Sequence, residues 1–321
     1  MLAIAHRRFG PPREALELVE METPVPAADQ VSIRIRAASL NPYDWHQIIG
    51  SPRFVRLVPR RPIVGSDVAG EVEAAGSNVT EFKPGDAVFG WCKSGSLAEY
   101  GCTPAKTLAR KPDNVSFEQG AALGIAGITA LQSLRDGARV QPGQTVLVNG
   151  AAGGVGTFAV QIAKMLGAAV TAVCSTRNVE LVRGLGADRV VDYAKEDFTR
   201  GSERHDVVLD LVGTHPFSAY RRVLTPNGVI VAVGIGGTAG AAMGRWLVRF
   251  LMDVPRRPFA SQRTKVFMAK GRAEDLAALG ELVAAGKIAP VIDRRYPLAD
   301  AAAAVESLLS GHARGKVVVT V

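Results

Sequence analysis

Residues 145–166 read TVLVNGAAGGVGTFAVQIAKML, and this stretch decides the fold. A short, mostly apolar run (Thr145 to Val148) leads into a turn made almost wholly of glycine and alanine, residues 150–154. An apolar pattern of helical length follows, from Val155 to Leu166. A strand, a glycine-rich turn and a helix in this order are typical of the start of a βαβ unit that binds a phosphate group at the turn.

The turn Ala151-Ala152-Gly153-Gly154-Val155-Gly156 has the spacing AxGxxG, a dinucleotide fingerprint with alanine in the first position. Small residues let the backbone approach a pyrophosphate and let the helix pack closely on the sheet. Free N–H groups and a partial positive charge at the helix N-terminus also favour an anion. We therefore predict that Ala152, Gly153, Gly154 and Val155 contact a dinucleotide. A turn selected only for close packing is the alternative.

The chain divides into two parts with different sequence patterns. Up to about Asn114, short alternating runs such as 31–35 and 67–73 are broken by glycine and proline, which predicts a mainly antiparallel sheet or partial barrel. Apolar strands then alternate with helices, which predicts a parallel sheet covered on both faces. The fold class is therefore α/β, with a Rossmann doubly wound sheet beside a mainly antiparallel β domain. The predicted parallel strands are 145–148, 169–173, 188–191, 206–210 and 229–233.

These patterns give predicted domains at residues 1–118 (mainly antiparallel β), 119–258 (dinucleotide-binding) and 259–321 (a segment that returns to the first domain). The last segment has predicted helices at 274–285 and 299–309. Residues 316–321, KVVVTV, have the sequence pattern of a strand at the edge of a sheet.

The coenzyme is predicted from the end of the second parallel strand, Val173-Cys174-Ser175-Thr176-Arg177-Asn178. NAD-selective sites place an acid here to accept from the ribose 2′-OH, and this run has none. Ser175 and Thr176 can donate to a 2′-phosphate and Arg177 can pair with it, which favours NADPH. Tyr193 is a further candidate contact for this phosphate. A solvated Arg177 and an ordinary half-buried Tyr193 are the alternatives.

Composition excludes several classes of protein. Of the 321 residues, 38 are Lys or Arg and 30 are Asp or Glu, for a net charge of +8. The basic residues are scattered, so nucleic-acid binding is not expected, and the positive charge suits an anionic cofactor. Neither a transmembrane segment nor a signal peptide is expected, which predicts a cytoplasmic protein. Cys92, Cys102 and Cys174 lack the spacing of a zinc or disulfide framework.

Further motifs resemble the zinc-free medium-chain dehydrogenases/reductases, especially quinone oxidoreductases of the zeta-crystallin type. The resemblance implies a GroES-like catalytic domain, a Rossmann domain, NADPH in the cleft and a homodimer. It covers essentially the whole chain in order. The motifs that carry it are GSDVAGEV (65–72), FKPGDAV (82–88), AALGIAGITA (121–130), the turn at 151–156, GAD (186–188) and GKVV (315–318).

Zinc-dependent relatives hold their catalytic metal with Cys, His and Cys, and the matching positions here are Asn41, Ser66 and approximately Leu123. None of the three is a credible zinc ligand, so no metal is expected. A quinone or an α,β-unsaturated carbonyl accepts hydride at carbon without a metal, provided that donors stabilise the oxygen that gains charge. The resemblance places Asn41 beside the nicotinamide, with its amide donating to that oxygen.

His46 stands where quinone oxidoreductases often have Tyr and other relatives have Lys. It is a candidate donor of a proton or a hydrogen bond, with a pocket-wall histidine as the alternative. Asp44 is expected to hold this loop in place rather than to act in catalysis. The resemblance and the strand ends add five predicted cofactor contacts: Thr129, Val212, Gly234, Ile235 and Lys316. For Lys316, a solvated edge-strand lysine is an equal alternative.

The predicted function is zinc-independent, NADPH-dependent reduction of a small-molecule quinone or enone. NADPH-linked reduction of an aldehyde or ketone is the alternative within enzymes. A non-catalytic NADPH- or RNA-binding relative and a membrane-associated sensor are alternatives outside them. Residues 245–252, RWLVRFLM, form an amphipathic pattern that suits a helix packed at the cleft or dimer edge, or one lying on a membrane.

Overall fold

The computed structural model of the chain describes residues 1–57, 59–233 and 261–321. The chain forms two compact units. Unit 1 comprises residues 1–128 and 270–321, and unit 2 comprises residues 129–269.

Unit 1 is built on a seven-stranded sheet in the order β14-β15-β3-β4-β5-β7, with β6 also paired to β3, and β1 and β2 form a separate antiparallel pair. Every described pairing in the larger sheet is antiparallel except β14 with β15. The elements are β1 Leu2–His6, α1 Pro12–Ala15, β2 Leu16–Glu20, β3 Gln30–Leu40, α2 Pro42–Ile49, β4 Asp67–Ala75, β5 Ala87–Trp91, β6 Tyr100–Pro104, β7 Leu108–Arg110, α3 Phe117–Gln132, α7 Ala273–Ala284, β14 Ile292–Pro297, α8 Ala301–Leu309 and β15 Lys316–Thr320.

The alternating pattern of β3 and β4 buries one face of the sheet, where Ile33, Val68 and Val88 form a core. A second core lies on the side of α2 and α8, and includes Leu40, Trp45 and Val317. The strand β3 therefore has apolar side chains on both faces, which fixes its central place in the sheet. Its C-terminal end is followed directly by Asn41 and α2.

The described part of unit 2 forms a six-stranded parallel sheet in the order β10-β9-β8-β11-β12-β13. Leu147, Val208 and Ile230 lie in its core. The order reverses between β8 and β11, and this switch point is where open parallel sheets bind ligands. The elements are β8 Thr145–Asn149, α4 Gly154–Met165, β9 Ala169–Cys174, α5 Val179–Gly184, β10 Arg189–Asp192, β11 His205–Asp210, α6 Phe217–Arg222, β12 Leu224–Val233 and β13 Arg263–Phe267, with a π-helix at Ser133–Ala138.

The divisions between the units fall later than the boundaries predicted at 118/119 and 258/259. Most of α3 belongs to unit 1, because Gly120 packs beside Phe89 and Gly127 beside Leu279. The strand β13 pairs with β12 and so extends the parallel sheet to residue 267. The sequence did not predict this strand, because the charged residues Arg263 and Lys265 interrupt its apolar pattern.

The predicted edge-strand character of residues 316–321 is wrong. The strand β15 lies inside the sheet, parallel to β14 on one side and antiparallel to β3 on the other. The predicted fold class is confirmed: unit 2 has the Rossmann architecture and unit 1 is a mainly antiparallel sheet domain.

Candidate functional site

The glycine-rich turn predicted to bind a phosphate lies at the carboxyl edge of the parallel sheet, between β8 and α4. Gly150 has φ of +88°, a left-handed conformation that favours glycine. A Cβ on Gly156 would lie 2.2 Å from the Gly150 carbonyl oxygen, so no larger residue fits without moving backbone. Gly153 caps α4, and Ala152 is buried directly before it. The turn therefore presents the first N–H groups of α4 to the edge of the sheet.

The carboxylate of Asp210, at the end of β11, shapes the neighbouring loop. Its Oδ1 accepts from the Asn149 side chain at 2.9 Å, from Gly213 N at 3.0 Å and from Val212 N at 3.2 Å. A Cβ on Gly150 would lie 2.6 Å from the Val212 side chain, so Val212 stands directly beside the turn. Asp210 was not among the predicted residues, although an acid ending an apolar strand is a usable signal.

The loop after β9 carries the predicted 2′-phosphate contacts. Ser175 is half-buried, and its hydroxyl accepts from the Asn178 side chain at 3.1 Å. Thr176 and Arg177 are both exposed. Tyr193, directly after β10, is 61% exposed, and its N–H donates to Cys174 O. Because β8, β9 and β10 are adjacent and parallel, the sheet places this loop beside the glycine-rich turn.

Asp192 is an acid near this loop that sequence reasoning missed, because it belongs to the next strand, where it pairs with Cys174. Its Oδ1 accepts from Ala194 N at 3.1 Å, and its Oδ2 lies 3.5 Å from Lys195 Nζ. A hydrogen bond from the Thr176 hydroxyl holds the pKa of Asp192 below its usual range. The carboxylate thus stabilises its own turn and also engages a hydroxyl predicted to contact the coenzyme.

Thr129, the remaining predicted contact in the described part of unit 2, is buried in α3. Gly234 and Ile235 lie outside the described residues, as does the amphipathic segment 245–252.

In unit 1, Asn41 caps the N-terminus of α2 and is 3% exposed. Asp44 holds this helix start, as predicted, because its Oδ2 accepts from Asn41 N at 2.8 Å. Its Oδ1 accepts from the Ser66 hydroxyl, also at 2.8 Å. Burial and the nearby Asp67 carboxylate raise the pKa of Asp44 to about 6. Two of the positions matched to zinc ligands, Asn41 and Ser66, are therefore joined through one carboxyl group.

Asp67 is the centre of a buried cluster in unit 1 that the sequence did not predict. Its Oδ2 accepts from the Ser39 hydroxyl at 3.1 Å and from Asn41 Nδ2 at 2.8 Å. The same oxygen lies 3.2 Å from Lys316 Nζ, and both charged side chains are almost fully buried. Its Oδ1 accepts from Ile125 N at 2.8 Å. Four donors satisfy this carboxylate, as a buried charge requires.

A break in α3 makes room for this cluster. Gly124 has non-helical torsion angles, and a Cβ there would lie 2.2 Å from Asp67 Oδ1. Across the break, Ile125 N donates to Asp67, while Ala121 O lies 3.0 Å from the Ser39 hydroxyl and shares its single hydrogen with Asp67 Oδ2. A regular helix would pair Ala121 O with Ile125 N, so side chains of the sheet satisfy what the break leaves open.

Lys316, predicted as a cofactor contact or a solvated lysine, is 2% exposed and lies in this cluster. Its ammonium donates to Asn41 Oδ1 at 2.7 Å, to Leu40 O at 3.1 Å and to Asp67 Oδ2 at 3.2 Å. The solvated interpretation is wrong. A direct contact with a cofactor would require the ammonium to release one of these three acceptors, since it has three hydrogens.

His46 lies on α2, half-buried and stacked on the Trp45 ring with centroids 3.8 Å apart. Its Nδ1 lies 2.6 Å from Ser51 O, and because a carbonyl only accepts, Nδ1 carries the hydrogen. The neutral ring therefore presents Nε2 as an acceptor. Burial lowers the pKa of His46, so the protonated ring that donates from Nε2 is a minor species at neutral pH.

Among the described residues, no three His, Cys, Asp or Glu side chains are grouped so that they could hold a metal ion. Leu123, the third position matched to a zinc ligand, is fully buried in α3. None of the described helices has the length and apolar character to cross a membrane.

The chain is similar to known proteins over most of its length. Residues 27–113 match the family described as alcohol dehydrogenase GroES-like domain, and residues 185–319 match the zinc-binding dehydrogenase family. A chloroplast envelope quinone oxidoreductase homolog of Arabidopsis thaliana is 34% identical over 99% of this chain and 98% of its own length. A trans-enoyl reductase of Aspergillus terreus is 36% identical over 91% of this chain and 86% of its own.

Among solved structures, the Escherichia coli quinone oxidoreductase complexed with NADPH matches all of both chains, with a TM-score of 0.85 and 27% identity. The family matches and these relatives define the class of the protein as an oxidoreductase of a family that binds a nicotinamide cofactor. The chain belongs to the medium-chain dehydrogenase/reductase family, in its quinone oxidoreductase-like group, which confirms the resemblance found in the sequence.

Proposed function

We propose that this protein is a zinc-independent, NADPH-dependent reductase of quinones or α,β-unsaturated carbonyl compounds. One observation carries the proposal: a chain matched over 99% of its length to a quinone oxidoreductase homolog has a glycine-rich turn between β8 and the N-terminus of α4. The enoyl reductase among its relatives supports the enone as an acceptor beside the quinone.

The choice of NADPH rests on the loop after β9. Ser175 and Arg177 offer a hydroxyl and a guanidinium, and residues 174–178 contain no acid. The nearby Asp192 carboxylate would repel a 2′-phosphate. However, one of its oxygens already accepts from Ala194 N, and the other lies close to the Lys195 ammonium. A bidentate guanidinium suits a phosphate monoester better than a ribose hydroxyl.

Zinc independence rests on the residues matched to zinc ligands. The Asn41 side chain is a neutral amide that is hydrogen-bonded to Asp67 and Lys316. The Ser66 side chain is a neutral hydroxyl that donates to Asp44, which also accepts from Asn41 N. Leu123 has no donor atom. Zinc sites in proteins use thiolate, imidazole or carboxylate ligands. A negatively charged acceptor oxygen would therefore need hydrogen-bond donors of the protein instead of a Lewis acid.

The chemistry requires one hydride and one proton. When bound, NADPH supplies the hydride, so that quinone, NADPH and a proton give hydroquinone and NADP⁺. The glycine-rich turn holds the pyrophosphate, and Arg177 with Ser175 selects the 2′-phosphate. Asn41 keeps one amide hydrogen on Asp67 and directs the other to the acceptor oxygen. His46 donates a proton only from its protonated form, so solvent supplies the proton at higher pH.

The test is steady-state oxidation of NADPH and of NADH with 1,4-quinones and short enals. We expect turnover with a lower KM for NADPH. In Arg177→Gln, the KM for NADPH should rise about 10- to 100-fold, the range for loss of one charge-assisted hydrogen bond, while the KM for NADH stays unchanged. Arg183→Gln, on exposed α5, is the matched control and should alter neither KM.

Absence of turnover with every quinone and enal, despite NADPH binding, would overturn the reductase proposal. A lower KM for NADH would overturn only the choice of coenzyme. The predicted homodimer and cytoplasmic location stay predictions, and light scattering of the purified protein measures the first directly.

A further inference from the structure

The structure places a buried ammonium on the side chain that the proposed reaction depends on. Lys316 starts β15, and its Nζ lies 2.7 Å from the Asn41 side-chain oxygen. It is one of the largest fully buried side chains in the described part of the chain. Burying an ammonium is costly unless it is paired and hydrogen-bonded, and Asp67 and Leu40 O complete that environment. Such an arrangement fixes the ammonium within the fold.

The two ends of the Asn41 carboxamide face opposite charges. Its Oδ1 accepts from the Lys316 ammonium, and its Nδ2 donates to the Asp67 carboxylate at 2.8 Å. Rotating the amide by half a turn would set its NH₂ group against the ammonium and its oxygen against the carboxylate. Both contacts would be repulsive, so the cluster selects one orientation of Asn41.

This orientation leaves a defined donor. An amide nitrogen carries two hydrogens, and Asp67 accepts one of them. Among the residues that the structure describes, Asp67 is the acceptor found for Asn41 Nδ2. A cation on the amide oxygen draws electron density from the nitrogen, and hydrogen bonds in a chain polarise one another. The second N–H is therefore both aimed and strengthened.

We propose that Lys316 is a positioning residue that fixes and polarises the Asn41 carboxamide, so that its second N–H donates to the acceptor oxygen during hydride transfer. The inference rests on the proposed function, because Asn41 is the donor in that reaction. It assigns Lys316 to the acceptor rather than to a phosphate of the cofactor. Lys316 thus acts through Asn41 and does not itself touch the substrate.

The first experiment compares Lys316→Met, Lys316→Arg and, as a control, Lys287→Met, whose side chain is exposed in unit 1. In Lys316→Met, kcat should fall about 10- to 100-fold, the range for one charge-assisted hydrogen bond. The Kd for NADPH should stay within about twofold of the parent, since the turn is untouched. Lys316→Arg retains the charge and should recover part of kcat. Lys287→Met should match the parent.

A double-mutant cycle separates positioning from simple loss of structure. Because Lys316 acts through Asn41, Lys316→Met should lower kcat much less when Asn41→Ala is already present. Multiplication of the two separate losses would overturn the proposal. So would weaker NADPH binding with unchanged kcat, which would return Lys316 to the role of a cofactor contact. If Lys316→Met fails to fold, the same cycle is run with Lys316→Arg.

A final measurement keeps this inference distinct from the proposed function. With asparagine labelled by ¹⁵N, the Asn41 NH₂ signals report the cluster whether or not any acceptor is reduced. Lys316→Arg should shift both signals while Lys287→Met leaves them in place. Unmoved signals would overturn the positioning role, and moved signals without turnover in the parent would instead count against the reductase proposal.

Discussion

The turn at residues 150–156 in unit 2 and the cluster around Asp67 in unit 1 are built in opposite ways. The turn uses backbone groups and small residues that are consecutive in the chain. The cluster joins side chains and backbone from four separated segments, at residues 39–44, 66–67, 121–125 and 316. The comparison shows that a site can be recognised as a sequence motif only where its residues are close together along the chain.

The two regions also differ in what they tolerate. Steric limits set by backbone atoms dominate the turn, since a backbone atom cannot swing aside. Charge pairing dominates the cluster, where each ion is buried and relies on its partners. Substitutions that add a methyl group should therefore damage the turn most, and substitutions that change charge should act mainly through the cluster.

The largest effect is expected for Gly156→Ala. Its Cβ would lie 2.2 Å from Gly150 O and 2.7 Å from two backbone atoms of Ala151. We expect the free energy of unfolding to fall by about 3 kcal/mol or more, with loss of NADPH binding. Gly153→Ala is the matched control for stability alone, because its Cβ would meet Gly150 O at an ordinary 3.5 Å while the residue is itself a predicted dinucleotide contact. Chemical denaturation measures the stability of both variants and calorimetry measures NADPH binding by Gly156→Ala. An equal loss of stability in the two variants would contradict the steric account.

Gly124→Ala should be the next most severe, because its Cβ would lie 2.2 Å from Asp67 Oδ1. That carboxylate can move only by giving up hydrogen bonds, so we expect a loss of about 2–3 kcal/mol. NADPH binding by unit 2 should survive. Gly184→Ala, where nothing lies within 4 Å of the added Cβ, is the control and should cost nothing. Intact stability in Gly124→Ala would show that the break in α3 does not depend on glycine.

Asp44→Asn tests the charge of the cluster through pH. Because the pKa of Asp44 is raised from 3.8 to about 6, the folded state binds its proton more tightly than the unfolded state. Its contribution is fully present below pH 3.8 and is lost as pH rises through about 6. The asparagine can still accept from Asn41 N and donate to the Ser66 hydroxyl, but it does not ionise.

The variant should therefore gain stability relative to the parent between about pH 4 and pH 7, by up to about 3 kcal/mol. Urea denaturation of both proteins across this range gives the difference directly. A difference that stays constant with pH would show that Asp44 is not the titrating group.

The smallest effect is expected for Glu306→Gln. Glu306 pairs with Arg13 at 3.0 Å, but these side chains are 37% and 72% exposed. We expect a change of at most about 0.5 kcal/mol, reduced further by salt. A loss comparable to that of a buried ion would contradict the contrast between exposed and buried pairs, and thermal unfolding at two salt concentrations measures it.

Sequence reasoning succeeded where the signal is local. The helix predicted from Val155 to Leu166 is α4, Gly154–Met165, and the five predicted parallel strands are present. It failed for β15, because a terminal run of valines does not show which strands lie on either side. It also missed Asp192 and Asp210, because these two acids lie at the ends of strands other than the one that precedes the dinucleotide fingerprint.

The amino-acid sequence by itself determined the strand–turn–helix unit, the alternation of strands and helices, and the family, because each depends on residues close together in the chain. Only the tertiary structure decided that Lys316 and Asp67 are buried together on Asn41. That outcome depends on β15 entering the sheet beside β3 and on α3 breaking at Gly124. Buried charges take their partners from whichever segments the packing brings within hydrogen-bond distance, and no spacing along the chain encodes that distance.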